Sequence, residues 1–247
     1  MTEEDSRSLL SAFRGVAGRL VVISSGDVYR AYGVFAGLEP GPADPVPLRE
    51  ESPLRRSLFI ARASASGPDD PLYDYEKILV EQAVLGDPSL PATVLRLPMV
   101  YGPGDYQHRL FPYLCRMDAG RRLILLDEGL ARWKCPRGYV GDVAAAIALA
   151  ATDARAAGRV YNVAEPAAFT ETEWVSRVAG AVGWSGKVVA EPRGRLPVPF
   201  THPYHRGGSC SERPHRVRSA QPADAARQAR LAPSAGRQSR ASLAVGE

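Results

Sequence analysis

The ten residues LVVISSGDVY, at positions 20–29, decide the fold class of this chain. Their first four residues form a continuous apolar run, bounded by Gly18 on one side and by Ser24-Ser25-Gly26 on the other. An apolar run of this length between turn residues is typical of a β-strand that is buried on both faces of a parallel sheet. Parallel sheets bind their ligands at the carboxyl ends of the strands. Ser24 and Ser25 are therefore candidate site residues.

Helix and strand patterns alternate along most of the chain. Helices are predicted around residues 4–16, 72–85, 107–118, 142–151 and 170–182, and further strands at 93–97, 123–125 and 160–163. This alternation predicts an α/β fold, a Rossmann-like parallel sheet with helices on both faces. Residues 30–70 are rich in Pro, Gly and Asp, and a connection of this length is typical of a lid or a substrate loop.

The composition predicts one domain, at residues 1–200, followed by a basic tail. The chain has 247 residues, of which 45% are hydrophobic and 23% are charged, and its net charge is +4. Residues 201–247 hold eight Arg against three acidic residues and lack Ile, Phe, Trp, Met and Lys. A segment that buries so little apolar surface is expected to be disordered. The remaining residues are nearly neutral and the tail has no interleaved aromatics, so nucleic acid is not an expected partner.

The cysteine and histidine positions argue against a disulfide framework or a metal site. The three Cys lie far apart without a C-x-x-C pair, and three of the four His fall in the tail. Free thiols favour a reducing compartment. The longest wholly apolar run, residues 143–151, is half of what a bilayer span needs, and the acidic N-terminus precedes no signal core. We therefore expect a cytoplasmic protein that does not bind membranes.

A tyrosine and a lysine four residues apart are the strongest chemical signal. Tyr73 and Lys77 lie in the predicted helix 72–85, where a spacing of four puts both side chains on one face. An ammonium group near a phenol favours the phenolate and lowers its pKa. Such a tyrosine can act as a general acid or base toward a substrate hydroxyl or carbonyl. The hydroxyl of Ser25, at the end of the preceding strand, can hold the same substrate oxygen.

These pieces occur in the order of a known family. Ser24 to Tyr29 match a Ser-Ser-x-x-Val-Tyr segment, Tyr73 to Lys77 a Tyr-x-x-x-Lys helix, and residues 96–105 an Arg-x-x-x-Val-Tyr-Gly-Pro-Gly-Asp segment. The chain thereby resembles the extended short-chain dehydrogenase/reductases, specifically the NAD-dependent epimerase/dehydratases, over about residues 1–195. The resemblance implies an oxidoreductase that uses NAD or NADP on a hydroxyl-bearing small-molecule substrate, with sugar nucleotides as one class.

The resemblance also assigns roles to residues. Ser25, Tyr73 and Lys77 would be the catalytic residues: Ser25 would hold the substrate, Tyr73 would be the acid/base, and Lys77 would bind the nicotinamide ribose and lower the pKa of Tyr73. Ser24 and the backbone from Pro98 to Val100 would lie near the cofactor. Which substrate is used, NAD against NADP, and the overall reaction stay open.

One part of the family pattern is not found. The dinucleotide fold opens with a Gly-rich turn that follows a strand, whereas Gly15-Val16-Ala17-Gly18 follows no strand and precedes one. The first strand resembles the fourth of the family, so about 90 residues of the cofactor half are expected to be missing from the N-terminus. A sheet without its first strands would expose an apolar edge, which predicts self-association, a homodimer included. The alternative function is a non-catalytic, truncated remnant that acts as a binding or regulatory module.

Overall fold

The computed structural model describes residues 1–42, 44–192 and 194–196. The helices are α1 Glu3–Phe13, α2 Arg30–Phe35, α3 Lys77–Leu85, α4 Phe111–Asp118, α5 Glu128–Arg132, α6 Val140–Thr152 and α7 Glu171–Val182. The strands are β1 Leu20–Ser25, β2 Ala92–Leu97, β3 Met99–Tyr101, β4 Leu123–Asp127, β5 Lys134–Cys135, β6 Arg137–Tyr139, β7 Val160–Asn162, β8 Phe169–Thr170 and β9 Lys187–Glu191. The predicted boundary at residue 200 and the predicted tail 201–247 lie outside the described residues.

Two compact units make up the described chain. The described part of the first unit is Met1–Pro98 together with Val143–Val163. That of the second unit is Met99–Asp142 together with residues 164–192 and 194–196. The quoted strand and the Tyr-x-x-x-Lys segment both fall in the first unit.

A parallel sheet in the order β1-β2-β7 forms the centre of the first unit. Strands β1 and β2 pair in parallel from Leu20 opposite Ala92 to Ser25 opposite Leu97, so their carboxyl ends meet at one edge. Side chains alternate between the two faces of the sheet, as the pleat of a strand requires. On one face Val22 and Val94 pack with Leu10 of α1 and with Val80 and Val84 of α3.

The other face of this sheet is covered by α6. Leu95 and Tyr161 pack there with Ala150, and Ile147 lies against the same cluster. Helices therefore cover both faces of a parallel sheet, which confirms the predicted fold class. In the described residues β1 forms an edge of this sheet. Self-association through that edge stays a prediction, because the structure describes a single chain.

The connection over residues 30–70 is more ordered than a free loop. It contains α2 and a 3₁₀ turn at Arg62–Ser64. Its middle part is tied to the carboxyl edge of the sheet by Glu50, whose carboxylate accepts the backbone N–H of Asn162 at 2.8 Å. The carbonyl of Glu50 also accepts a hydrogen bond from the Arg96 guanidinium at 2.8 Å. We call residues 48–62 the strap.

The second unit contains three two-stranded sheets, namely parallel β3–β6, parallel β4–β9 and antiparallel β5–β8, in the part of the chain that is described. Helix α7 lies in its core and buries Trp174, Val175 and Val178. The predicted capping box begins this helix: Thr170 accepts the Glu173 N–H at 3.2 Å, and the Glu173 carboxylate accepts the Thr170 N–H at 2.8 Å. This reciprocal pair satisfies two N–H groups that a helix start leaves free.

Candidate active site

The end of β1 carries a short turn that orients its polar side chains. Ser25 is the last residue of the strand and caps the 3₁₀ turn Gly26–Val28, where its hydroxyl oxygen accepts the Asp27 N–H at 3.3 Å. The Arg55 guanidinium of the strap donates to the Asp27 carbonyl at 2.8 Å. Both the N–H and the carbonyl of Asp27 are therefore hydrogen-bonded, which fixes the backbone that carries its carboxylate.

Asp27 and Tyr75 form a buried acid pair at this turn. The Tyr75 hydroxyl donates to Oδ2 of Asp27 at 2.9 Å, whereas Oδ1 of Asp27 is buried and has no hydrogen-bond partner among the described residues. Burial raises the pKa of Asp27, and the hydrogen bond from Tyr75 opposes that shift. Burial, followed by the charge of Asp27, raises the pKa of Tyr75 well above its ordinary value, and Ser25 opposes this shift. The hydroxyl of Tyr75 therefore keeps its proton at neutral pH.

Lys77 lies beside this pair at the edge of β1. Its Nζ donates to the Ile23 carbonyl at 3.2 Å and lies 5.6 Å from the ring centroid of Tyr75. Burial lowers the pKa of Lys77, and the charges of Asp27 and Glu81 oppose the shift. A lysine whose ammonium is partly desolvated gives up hydration easily when a polar ligand arrives. The sequence prediction that Lys77 and Ser25 flank one site agrees with this arrangement, although their roles stay predictions.

Below the site, Glu81 and Arg96 form a buried ion pair. Nη2 of Arg96 lies 2.7 Å from Oε2 of Glu81, and both side chains are almost fully buried. The Ser24 hydroxyl donates to Oε1 of Glu81 at 2.5 Å, and Arg96 also donates to the Tyr29 hydroxyl at 2.8 Å. The Ser24 side chain, predicted to lie near the cofactor, is therefore engaged in this network. Its expected place near a cofactor stays a prediction.

A second buried ion pair fixes the start of α3. Arg55 and Glu76 are fully buried and lie 2.7 Å apart. Glu76 also accepts the Ile78 N–H at 3.0 Å, which makes it the N-cap of the helix, and the Phe59 N–H at 2.7 Å. An N-cap has non-helical backbone angles, and here φ is −153°. The helix consequently begins at Lys77.

This start corrects the predicted geometry of Tyr73 and Lys77. The helix was expected over residues 72–85 but begins five residues later, so Tyr73 lies in a turn before the helix and does not share a helical face with Lys77. The reason is the tertiary contact of Glu76 with Arg55, which local helix propensity does not include. Tyr73 packs instead on Arg62, whose guanidinium carbon is 4.4 Å from the ring centroid.

Asp27 and Tyr75 are the site residues that sequence analysis missed. Both lie inside quoted segments, and Tyr75 is two residues from the tyrosine that was chosen. Their hydrogen bond joins positions 48 residues apart in the chain. No periodic pattern encodes that contact, because a turn and an extended segment meet there. The only available signal was the presence of an acidic residue at a strand end.

Pro98 and Val100 follow the central strand β2. Pro98 separates β2 from β3, and Val100 is the middle residue of β3, which pairs in parallel with β6. The Val100 carbonyl accepts a hydrogen bond from Arg109 at 2.8 Å. Their expected role near a nicotinamide stays a prediction.

The second unit contains its own buried polar cluster. Arg137 lies 2.5 Å from Glu171, and the Tyr113 hydroxyl donates to the other oxygen of Glu171 at 2.7 Å. The Arg137 guanidinium carbon is also 4.4 Å from the Trp174 ring. Burial raises the pKa of Tyr113, and the charge of Glu171 adds to the shift.

A Gly-x-x-Gly-x-x-Gly spacing does occur at Gly180, Gly183 and Gly186, which sequence analysis overlooked. There it ends α7, since Gly183 is the left-handed C-cap of that helix with φ +73°, and it precedes β9. A phosphate-binding turn requires the opposite order, a strand followed by a helix N-terminus. This spacing therefore serves helix termination.

Two further searches covered the described residues. In residues 1–42, 44–192 and 194–196, no group of three or more His, Cys, Asp or Glu side chains could hold a metal ion. Nor does any helix in that part of the chain combine the length and the apolar character needed to cross a bilayer.

The parallel sheet, the helices on both faces and the polar side chains at its carboxyl edge are those of a Rossmann-like α/β protein. A model of the NAD dependent epimerase/dehydratase family matches residues 4–164, which is more than half of the chain. The chain belongs to this family, as the sequence motifs predicted. No curated protein was found to match the chain.

Solved structures extend the likeness at low identity. RMD from Pseudomonas aeruginosa, complexed with NADPH, is 21% identical with a TM-score of 0.54 and covers 77% of this chain and 60% of its own. A UDP-N-acetylglucosamine 4-epimerase from Bacillus cereus is 17% identical with a TM-score of 0.55 and the same two coverages, 77% and 60%. dTDP-glucose 4,6-dehydratase from Bacillus anthracis, in complex with NAD, is 20% identical with a TM-score of 0.54, over 78% of this chain and 54% of its own. At these identities the likeness shows the fold, and the chain spans 54% to 60% of the length of these proteins.

Proposed function

We propose that the first unit carries the active site of an NAD(P)-dependent epimerase/dehydratase-type oxidoreductase. It would act on a hydroxyl-bearing carbon of a small-molecule substrate. Membership of the family supports the reaction class. Sugar nucleotides are our candidate substrate class, because two of the similar structures are enzymes named for such compounds.

One observation carries this proposal: the buried Oδ1 of Asp27, without a hydrogen-bond partner among the described residues, lies beside Tyr75. An unpaired buried carboxylate oxygen costs free energy. Asp44 and Asp127 each carry such an oxygen too, and Asp27 differs from them in the adjacent Tyr75 hydroxyl and in the nearby charge of Lys77. Lys77, with its lowered pKa, completes a cluster of groups that can hold or move a proton. Perturbed titratable groups at a strand end favour catalysis over a purely structural role.

The residues present fit the nicotinamide end of the cofactor. Lys77 supplies a partly desolvated ammonium that can donate to ribose hydroxyls, and Pro98 directly follows the central strand β2 of the same unit. For the pyrophosphate end, no Gly-rich turn between a strand and a helix is found in residues 1–42, 44–192 and 194–196. Bound NAD(P) would supply the hydride acceptor. We therefore expect this chain alone to bind the cofactor weakly.

The chain's own groups would handle the substrate proton. The Ser25 hydroxyl would steady the substrate oxygen, and a tyrosine would take the proton from the substrate hydroxyl. Two tyrosines compete for this role: Tyr73 by its match to the family motif, and Tyr75 by its hydrogen bond to Asp27. The Asp27 carboxylate would accept a hydrogen bond from whichever hydroxyl faces it.

The alternative function, a non-catalytic binding or regulatory module, has one observation in its favour. Tyr73 packs on Arg62 rather than on Lys77, and a site in which the acid/base residue never reaches the lysine would be inactive. Cofactor binding separates the two proposals, since an enzyme must bind NAD(H) or NADP(H) and a remnant need not.

The test is a titration of the purified chain with NADH and NADPH, followed by nicotinamide fluorescence. We expect saturable binding that Lys77→Ala weakens at least ~10-fold, which is the loss of one charge-assisted hydrogen bond. Lys134→Ala, which removes an exposed lysine of the second unit, is the matched control and should leave the affinity unchanged. No binding at millimolar cofactor would reject the enzyme proposal and leave the alternative.

A second experiment separates the tyrosines. Turnover would be followed as conversion of each member of a panel of sugar nucleotides, separated from its product by chromatography, because epimerisation and dehydration regenerate the oxidised cofactor. Tyr73→Phe and Tyr75→Phe would be compared at saturating cofactor. Loss of the acid/base hydroxyl should lower kcat by about 10²–10⁴-fold, whereas loss of the other should change it little. If neither variant changes the rate of an active chain, the proposed tyrosine chemistry is wrong.

A further inference from the structure

We propose that Arg62 regulates the site by holding Tyr73 outside it, and that Tyr73 and Tyr75 exchange places when α3 grows by one turn toward its N-terminus. This inference rests on the proposed function, because it concerns which tyrosine serves that site. It makes Arg62 a positioning residue, which acts through Tyr73 and touches neither Asp27 nor Lys77 in the contacts described above.

Arg62 contacts the Tyr73 segment through Nε, Nη2 and the face of its guanidinium group. Nε donates to the Tyr73 carbonyl at 2.9 Å, and Nη2 pairs with Asp74 at 3.0 Å. The guanidinium carbon lies 4.4 Å from the Tyr73 ring centroid and 4.1 Å from that of Phe59. A planar guanidinium stacked on two rings is a favourable cation–π arrangement, and here it joins the strap to the residues before α3.

The hydrogen bond to the Tyr73 carbonyl competes directly with helix growth. In an α-helix each N–H donates to the carbonyl four residues earlier. If α3 began one turn earlier, the Lys77 N–H would donate to the Tyr73 carbonyl, which Arg62 occupies in the present structure. The same growth would give the Ile78 N–H to the Asp74 carbonyl and release it from Glu76. A carbonyl oxygen can accept two hydrogen bonds, so this contact does not forbid the extra turn. Together with the Asp74 ion pair, it stabilises the non-helical state that the extra turn would replace.

Only one of the two tyrosines can face Lys77 at a time. Successive helical residues are about 100° apart around the axis, so in an extended helix Tyr73 would lie about 40° from Lys77 and Tyr75 about 200° away. In the present state the segment before Lys77 is not helical, and Lys77 lies 5.6 Å from the Tyr75 ring. Growth of the helix would thus remove Tyr75 from Asp27 and bring Tyr73 to the lysine.

Backbone strain in the strap is consistent with a two-state element. Phe59 has φ +52°, a left-handed conformation that is unfavourable for an aromatic residue. It is kept there by the hydrogen bond of its N–H to Glu76 at 2.7 Å and by Arg62 above its ring. Strained residues that are held by surrounding contacts recur at switch regions. Release of Arg62 would remove one of these two restraints.

Lysine amides provide the test, because the chain has only three lysines: Lys77, Lys134 and Lys187. The full chain would be labelled with ¹⁵N-lysine, the three amide signals assigned with Lys→Arg variants, and hydrogen exchange measured without cofactor. The Lys77 amide belongs to the first turn of α3, where N–H groups lack an intrahelical carbonyl and exchange fast. In the extended helix it is hydrogen-bonded and exchanges slowly.

We expect Arg62→Ala to slow exchange of the Lys77 amide at least ~10-fold relative to the unchanged chain. Asp74→Asn, a milder change at an exposed residue, should slow it less but in the same direction. Arg56→Ala is the matched control, since it removes an equal charge from an exposed position of the strap. The Lys187 amide, which donates to the Arg122 carbonyl at 3.0 Å, reports whether the second unit of each variant is folded, and far-ultraviolet circular dichroism reports whether the chain as a whole keeps its secondary structure.

Unchanged exchange at Lys77 in folded Arg62→Ala and Asp74→Asn would overturn the inference, as would an equal effect of Arg56→Ala. If Arg62→Ala loses the protection of Lys187, Asp74→Asn carries the test alone. The measurement needs neither cofactor nor substrate. The exchange experiment can therefore reject the switch while the NADH titration supports the proposed function. Conversely, the titration can reject the proposed function while the exchange experiment supports the switch.

Discussion

Two buried polar clusters, one in each unit, differ in whether all their carboxylate oxygens are hydrogen-bonded. In the second unit, Arg137 and Glu171 lie 2.5 Å apart, both carboxylate oxygens are hydrogen-bonded, and Trp174 covers the guanidinium group. In the first unit, the Asp27 carboxylate accepts a hydrogen bond from Tyr75 at one oxygen and leaves the other buried oxygen without a partner among the described residues.

The difference indicates where chemistry can occur. A buried ion pair whose oxygens are all hydrogen-bonded has no unpaired group for a ligand to satisfy. Removal of one partner lowers the free energy of unfolding, because the other charge stays buried without a partner. An unsatisfied oxygen destabilises the fold, and binding a ligand relieves that cost. The two clusters should therefore respond with opposite signs when their charge is removed.

Removal of the Glu171 side chain should have the largest effect on stability. Glu171→Ala leaves Arg137 buried without a partner, and we expect a loss of about 3–5 kcal/mol in the free energy of unfolding. Urea unfolding followed by tryptophan fluorescence measures it, since all three Trp lie in the second unit. The apolar double variant Arg137→Met/Glu171→Leu should regain most of the loss. A loss below ~1 kcal/mol in Glu171→Ala would mean that the pair is not buried in solution.

Neutralisation of Asp27 should stabilise the chain. Because burial raises the pKa of Asp27, the folded state keeps its proton where the unfolded state has lost it. Stability should then fall as pH rises from the unfolded pKa, about 3.9, through the raised folded pKa, and stay lower above it. At pH 7 we expect Asp27→Asn to raise the free energy of unfolding by about 1–2 kcal/mol.

Urea unfolding at a series of pH values, followed by circular dichroism, checks the Asp27 prediction. The stability difference between Asp27→Asn and the unchanged chain should grow with pH across this interval. Glu171→Gln is the control, and it should destabilise at every pH where Glu171 is ionised. If both variants destabilise equally at pH 7, the contrast between the two clusters is wrong.

The two capping boxes give the smallest effects. Thr170→Ala should cost about 1 kcal/mol, because it uncaps α7, which lies in the core of the second unit. Thr2→Ala removes the equivalent box of α1, which buries only Ser6 and Leu10, so the cost should be less than half as large. Thermal unfolding measures both, with Thr→Ser at each position as the variant that keeps the hydroxyl. Equal losses of stability in Thr2→Ala and Thr170→Ala would show that the cap of α1 stabilises the chain as much as the cap of α7.

The sequence alone determined the fold class and the family. The apolar run that became β1, the capping box of α7 and the order of the motifs are local features, written in consecutive residues. Short patterns of consecutive residues predict whether a strand is buried on both faces and whether the first N–H groups of a helix are capped, so both features could be predicted without the tertiary structure. Ser25 and Lys77 were predicted as site residues from the same kind of local pattern.

The tertiary structure alone decided which groups meet at the site. Residues 72–76 have a helical pattern, yet the buried pair of Arg55 and Glu76 makes the helix begin at Lys77, and Tyr75 donates to Asp27 instead. The two members of that ion pair are 21 residues apart in the chain. Local helix propensity contains no information on a contact between residues so far apart, which is why the sequence pointed to Tyr73 whereas the structure places the Tyr75 hydroxyl against Asp27.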